Sequence, residues 1–227
     1  MTKLSKTLRS AYKTIDREKL YTIEEAVKLM KKTSSVKFDA TAELHAKLAI
    51  NPKHAEQQVR TTTTLPNGTG KKVRVAAFCE DDQQKAAKAA GATAVGAEEL
   101  VEKVTKGWLD FDVAVSTPGM MKHLAKIARV LGPKGLMPNP KAGTVGPDVA
   151  KIVTEVAGGR LEFRNDKSGI IHTVFGKLSF DEKKLTENLT AMIDAIKTAR
   201  PAAVKGTYIE TISVNATMGA GIKINPA

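Results

Sequence analysis

Apolar and polar residues alternate strictly from Phe38 to Ile50. Phe38, Ala40, Ala42, Leu44, Ala46, Leu48 and Ile50 fall on one face, and Asp39, Thr41, Glu43, His45 and Lys47 on the other. A period of two over this length predicts a strand with one buried and one polar face. Ahead of it, Leu4–Leu20 reads as a basic helix carrying Lys3, Lys6, Arg9, Lys13, Arg17 and Lys19. Thr22-Ile-Glu-Glu25 is a capping box that opens a helix with Ile23, Ala26, Val27 and Met30 on its apolar face. Threonine-rich Val59–Leu65 reads as another strand, broken by Pro66-Asn-Gly-Thr-Gly70.

From Lys72 the pattern changes. Val73–Cys79 is a continuous apolar run, as expected of a strand covered on both faces. An alanine-rich helix ends at Gly91, and the strand Ala92–Val95, the helix Glu98–Lys106 and the strand Phe111–Val115 follow. Met120, Leu124, Ile127 and Leu131 stand at helical spacing. Pro147 starts a helix with Val149, Ile152, Val153 and Val156 inward, and Gly158-Gly159 stops it. This alternation predicts a small parallel, Rossmann-like α/β domain.

Beyond Gly159 the first style returns. Arg160–Arg164 and Ile170–Phe175 read as short strands, joined as a hairpin by Asn165-Asp-Lys-Ser-Gly169. Phe180–Arg200 is a long helix with Leu185, Leu189, Met192, Ile193 and Ile196 inward. The strand Thr207–Ala216 then runs through Thr217-Met-Gly-Ala-Gly221 into Ile222-Lys-Ile224. Neither outer segment has enough strands for a covered core. Residues 1–67 and 160–227 are therefore expected to build one discontinuous α+β domain with an antiparallel or mixed sheet. Residues 68–159 form the inserted α/β domain.

Charge narrows the function. The 227 residues carry 36 Lys/Arg against 24 Asp/Glu, a net of +12. Residues 1–67 hold 13 basic and 7 acidic side chains, residues 68–159 hold 13 and 10, and residues 160–227 hold 10 and 7. The two ends together bear most of the excess, which points to a polyanion. No apolar run approaches the roughly 20 residues of a membrane span, and the N-terminus lacks a secretory core, so no membrane role is expected. Cys79 is the single cysteine, which excludes an intrachain disulfide and suits the cytoplasm. His45, His54, His123 and His172 show no metal-ligand spacing, and neither a metal nor a cofactor is expected.

Val130–Val145 packs three prolines and three glycines around Lys134 and Lys141, too broken for a regular helix or a central strand. Physically it is a rigid connector or a contact loop. Gly132-Pro-Lys-Gly-Leu-Met-Pro-Asn-Pro-Lys141 and the following Gly143-Thr-Val145 resemble the signature of the ribosomal protein L-one family of the large subunit, in its bacterial form. Family-like segments occur from Val36 to Gly221. The resemblance implies the same discontinuous architecture and a protein that binds large-subunit ribosomal RNA at the mobile side stalk. It further implies contact with exit-site tRNA, repression through the protein's own operon mRNA, and a chain that is monomeric when free.

Three segments carry the candidate contacts. In Thr217-Met-Gly219, a hydroxyl, a flexible apolar side chain and open backbone suit a sugar–phosphate chain; a tight turn around a core methionine is the other reading. In Lys37-Phe-Asp-Ala-Thr-Ala-Glu43, periodicity favours core packing for Phe38, whereas an aromatic at a sheet rim can press on RNA. Thr41 and Glu43 share the polar face, and a carboxylate can accept from a 2′-OH or a guanine amino group. In the turn after Phe163, Arg164 and Lys167 can hold phosphates, Asp166 can orient Arg164, and Ser168 is a neutral donor; the alternative is a hairpin with solvated charges. The resemblance implies RNA roles for Lys37, Phe38, Thr41, Glu43 and Thr217-Met-Gly219; the turn residues and Ser213 are expected to complete the primary surface, with weaker contacts through Lys134 and Lys141. His172 reads as a neutral packing or hydrogen-bonding residue. The rival class is a nucleotide-dependent transferase using Ser116-Thr-Pro-Gly119 at a strand end of the insert. No acid–base pair converges there. At Pro66-Asn-Gly-Thr-Gly70 a phosphate loop also fails, because Leu65 sits where a glycine is needed five positions before Gly70, and that stretch reads as a hinge.

Overall fold

In the computed structural model, which describes residues 5–225, the chain divides into two compact units. One takes the chain up to Gly70 and again from Glu162; the other is Lys71–Leu161. In chain order the first elements are α1 (Lys6–Thr14), α2 (Ile23–Thr33), β1 (Thr41–Leu48) and β2 (Arg60–Thr64). The second unit then supplies β3 (Val75–Phe78), α3 (Asp81–Ala89), β4 (Ala94–Gly96), α4 (Glu98–Thr105) and β5 (Val113–Ser116). It continues with α5 (Met121–Leu124), α6 (Ala128–Leu131) and α7 (Val149–Ala157). The chain ends with β6 (Arg160–Arg164), β7 (Ile170–Lys177), α8 (Glu182–Thr198), β8 (Ile209–Ala216) and β9 (Ile222–Ile224).

The discontinuous unit is a sheet of order β7-β1-β8-β9, antiparallel throughout, with α2 and α8 packed on one face. Alternation in β1 does what it predicts: Ala42, Leu44, Ala46 and Leu48 are buried, and the residues between them are not. Ile171 and Phe175 of β7 and Ile212 and Val214 of β8 join them against Met30, Leu185, Leu189 and Met192. The Thr22 capping box is formed, its hydroxyl and the Glu25 carboxylate reciprocally accepting backbone N–H groups. Beside Thr173, the buried polar side chain of this core is Asn188. Its amide accepts from Asn67 N–H (3.0 Å) and donates to the carbonyls of Gly68 (2.9 Å) and Phe175 (2.8 Å), tying α8 to β7 and to the turn after β2.

Two expectations fail here. The N-terminal helix is shorter than Leu4–Leu20: Ser5 caps it and it ends at Thr14, with Lys3 and Leu4 outside the described residues. Asp16 then accepts from Glu18 N–H (2.9 Å) and donates its own N–H to the Tyr21 hydroxyl (2.9 Å), fixing an extended exit. The second failure is the hairpin. β6 pairs with β2 in a separate two-stranded sheet, and β7 pairs with β1. Only the bridge Asn165–Ile171 survives of it. The turn chemistry is local and correct, but the partner of each strand is chosen by burial far away in sequence.

The inserted unit is a parallel sheet of order β4-β3-β5. Ala76 and Phe78 face a cluster with Leu100, Val104, Leu124, Ile127 and Leu131; Val75, Ala77 and Cys79 face Ala87, Val149, Val153 and Val156. All of β3 is buried, as a strand between two helical layers must be. The helix expected over Met120–Leu131 is interrupted by a tighter turn at Ala125–Ile127, yet its four apolar positions all point inward. At the foot of the sheet, Asp112 accepts from Lys71 Nζ (2.8 Å) and from Arg74 N–H (3.2 Å) and Nε (3.1 Å). The Lys71 bond first, and the Arg74 N–H next, hold its carboxyl down at about 2.

Candidate nucleic-acid interface

The face of the antiparallel sheet opposite α2 and α8 carries the polar half of every strand. From β1 come Thr41, Glu43, His45 and Lys47; the register sets Asn215 opposite Glu43, and both Ser213 and His172 opposite His45. At the start of β1, Thr217 N–H donates to the Thr41 carbonyl (3.0 Å) and Thr41 N–H donates to the Thr217 hydroxyl (3.1 Å). That hydroxyl also lies 3.3 Å from the Glu43 carboxylate, and Lys177 Nζ donates to the Thr41 hydroxyl (2.8 Å). Thr41, Glu43 and Thr217 are thus one hydrogen-bonded knot, although Thr41 and Thr217 stand 176 residues apart.

Phe38 and Met218 flank this knot, one just before β1 and the other just after β8. They are 58% and 76% exposed. Periodicity puts Phe38 inside; it is outside because β1 begins only at Thr41. Asp39 is tied instead to Ser179, whose N–H (3.1 Å) and hydroxyl (2.9 Å) both donate to its carboxylate. Met218 has φ +64°, the single positive φ at a non-glycine among the described residues. A long apolar side chain held in a left-handed turn and pointed at solvent gains nothing for folding. Gly219 is a correction. Its N–H donates to Ala216 O (2.7 Å), so this amide closes the turn and is not free for a phosphate. A Cβ there would stand 2.9 Å from the same oxygen, so only glycine fits.

Arg164, Asp166, Lys167 and Ser168 lie at the other end of β1, where Lys47 pairs with Ile170 and its Nζ donates to the Ser168 carbonyl. Across an eight-residue strand the two clusters are roughly 25 Å apart. The candidate contacts therefore form two clusters, and Ser213 stands between them. Asp166 does not orient Arg164. Its carboxylate accepts from Ile170 N–H (2.7 Å) and Ser168 N–H (2.8 Å), which hold the carboxyl below the usual carboxylate range, Ile170 foremost. Arg164 and Lys167 are exposed, and no described residue pairs with them.

A histidine row bridges the two clusters. His45 Nδ1 lies 2.8 Å from His172 Nδ1, and His45 Nε2 lies 2.8 Å from Asn215 Oδ1. In a neutral His45 that donates from Nε2 to Asn215, Nδ1 is the ring atom left to accept from His172. Sequence reading passed over His45 and Asn215. The available signal was their position on the polar side of alternating strands.

In the inserted unit the Gly/Pro loop is well anchored. Leu136 and Met137 pack on the core, and Asn139 accepts from Lys141 N–H (2.8 Å). The Arg160 guanidinium lies so close over Gly143 that a Cβ there would overlap it. Lys134 and Lys141 are exposed. The loop delivers Thr144–Gly146 to the edge of β5: Ser116 N–H donates to Thr144 O (2.9 Å) and Gly146 N–H to Ser116 O (3.1 Å). Ser116 and Thr117 are buried by this, and the Glu80 carboxylate sits against Gly119. The strand end where a nucleotide phosphate would rest is filled by backbone and faced by an anion.

Comparison with known proteins adds two findings. Residues 30–220 match the family described as "Ribosomal protein L1p/L10e family". A protein of Mycobacteroides abscessus, "Large ribosomal subunit protein uL1", is 52% identical over 226 residues, spanning this whole chain and 96% of that relative.

Proposed function

Because this chain belongs to the ribosomal protein L1p/L10e family, we propose that it is a cytoplasmic protein of the large ribosomal subunit that grips structured large-subunit ribosomal RNA at the mobile side stalk. The open sheet face is the gripping surface. The observation that carries this reading is the pair of exposed apolar side chains, Phe38 and Met218, set around the Thr41–Glu43–Thr217 knot. Phe38 and Met218 press on sugars and bases, and Glu43 and Thr217 select 2′-hydroxyls. Lys37, Arg164 and Lys167 contribute the salt-dependent attraction to phosphates. Lys134 and Lys141 add weaker contacts from the inserted unit. The same surface binds the protein's own operon mRNA through a structure that imitates the ribosomal site, which makes the free monomer a repressor. On the ribosome the stalk assists release of exit-site tRNA.

Footprinting of large-subunit RNA with and without the protein tests this directly, and its own mRNA leader must compete for the same footprint. Met218→Asp is expected to lower RNA affinity about a hundredfold, roughly 3 kcal/mol, with circular dichroism unchanged. Lys134→Glu should cost only a few-fold. Unaltered affinity in Met218→Asp sinks the site assignment, and a larger loss in Lys134→Glu would make the inserted unit the main binder.

A further inference from the structure

Beside the Arg164–Ser168 turn lies a groove of about 580 Å³, lined among others by Pro52, Gln58, Val59, Arg164, Lys167 and His172. Its volume suits a small organic moiety. Pro52 gives it an apolar patch, the His172 ring forms one wall, and Val59 is buried beneath. Arg164 and Lys167 stand at the rim without protein partners among the described residues. The groove is preformed: Val59 N–H donates to Asn165 Oδ1 (2.7 Å) and Asn165 N–H to Val59 O (3.1 Å), fixing floor to turn. Gln58 is held as well, its Nε2 donating to Pro52 O (3.1 Å), which leaves its carbonyl oxygen free to accept.

We propose that this groove receives one unstacked nucleotide of the bound RNA. The base lies on Pro52 beside the imidazole of His172, Gln58 Oε1 accepts from a base N–H, and the flanking phosphate meets Arg164 and Lys167. The inference rests on the RNA-binding reading above and adds a subsite to it. RNA is the occupant, rather than a free mononucleotide, for two reasons. His172 belongs both to the groove and to the histidine row of the open face, so a strand lying along that face runs into it. The groove is also an open trough, with nothing to enclose a small ligand. Unstacked bases set on rings and read by amides are a general mode of RNA recognition.

The test uses the full chain. Cys79 is fully buried, so Glu56→Cys, at an exposed position two residues from Gln58 and outside the groove lining, introduces the one reactive thiol, to which an iron chelate is tethered. Hydroxyl radicals released there should cut a large-subunit RNA transcript in one cluster, next to an unpaired nucleotide whose base the unaltered protein shields from dimethyl sulfate or carbodiimide. Gln58→Ala should lose that shielding alone, with affinity reduced about three- to tenfold. Scattered or absent cuts in a complex that still forms, or identical shielding by Gln58→Ala, would overturn the subsite while leaving the sheet face as the binder. Saturable micromolar binding of adenosine monophosphate, abolished in Gln58→Ala, would overturn it in favour of a small ligand. If the unaltered protein leaves no footprint at all, both readings fall together.

Discussion

β1 and β3 occupy equivalent places, each with hydrogen-bonded neighbours on both sides, yet they live under opposite constraints. β1 is covered by helices on one face only, so Thr41, Glu43, His45 and Lys47 are released from packing and free to make chemistry. β3 lies between two helical layers, and each of its residues is consumed by the core. A sheet covered once can offer a broad, flat, polar surface. A sheet covered twice can offer only the loops at its ends, and here one of those ends is closed by the chain's own Thr144–Gly146. On the proposed reading, this difference is why the antiparallel unit offers a large, irregular polyanion its main footing.

The sharpest way to break this contrast is to place the same charge on both strands. Ala77→Asp buries an unpaired carboxylate at a position with no exposure and should cost more than about 4 kcal/mol, unfolding the inserted unit in a thermal melt. Thr41→Asp should leave that melt untouched and weaken RNA binding. Equal thermal damage from both would mean that the two sheets are not differently constrained.

A middle-sized effect concerns acid. Asp112 is held at about 2, below its ordinary 3.8, so the stability it lends is fully present above pH 4 and is lost as pH falls toward 2. In Asp112→Asn that limb of the acid titration should flatten, because Lys71 and Arg74 lose their charged partner. A curve unchanged by the substitution would show that the foot of the parallel sheet is held by packing alone.

The smallest expected effect is also the most pointed. Met218 occupies a left-handed conformation that glycine adopts freely, so Met218→Gly should gain up to about 1 kcal/mol of stability. RNA affinity should fall at the same time. A variant that loses stability would mean that Met218 packs in the folded chain, and its exposure would then carry no functional meaning.

Much of this architecture was legible in local pattern. The Thr22 capping box, the alternation of β1, the apolar run of β3 and the five inward positions of α8 depend on neighbours within a few residues, and each stands as the pattern implies. Phe38 shows where that logic stops. Its parity was right for a strand that, in the fold, does not extend so far, because the bonds from Ser179 to Asp39 are made across 140 residues. The paired strands β6 and β7 fail for the same reason: Asn165-Asp-Lys-Ser-Gly169 makes a turn, but only the rest of the chain decides which sheet each strand joins.

What the sequence by itself determined, then, is the alphabet of elements, the face each one buries and the cationic excess, since these follow from periodicity and composition. Only the tertiary structure decided that Thr41 meets Thr217, that His45 meets His172, and that the Arg164 turn stands a strand's length from Met218. Such contacts join residues more than a hundred positions apart. No local energy encodes them; they are set by the strand register that buries Leu44, Ile171 and Val214 together.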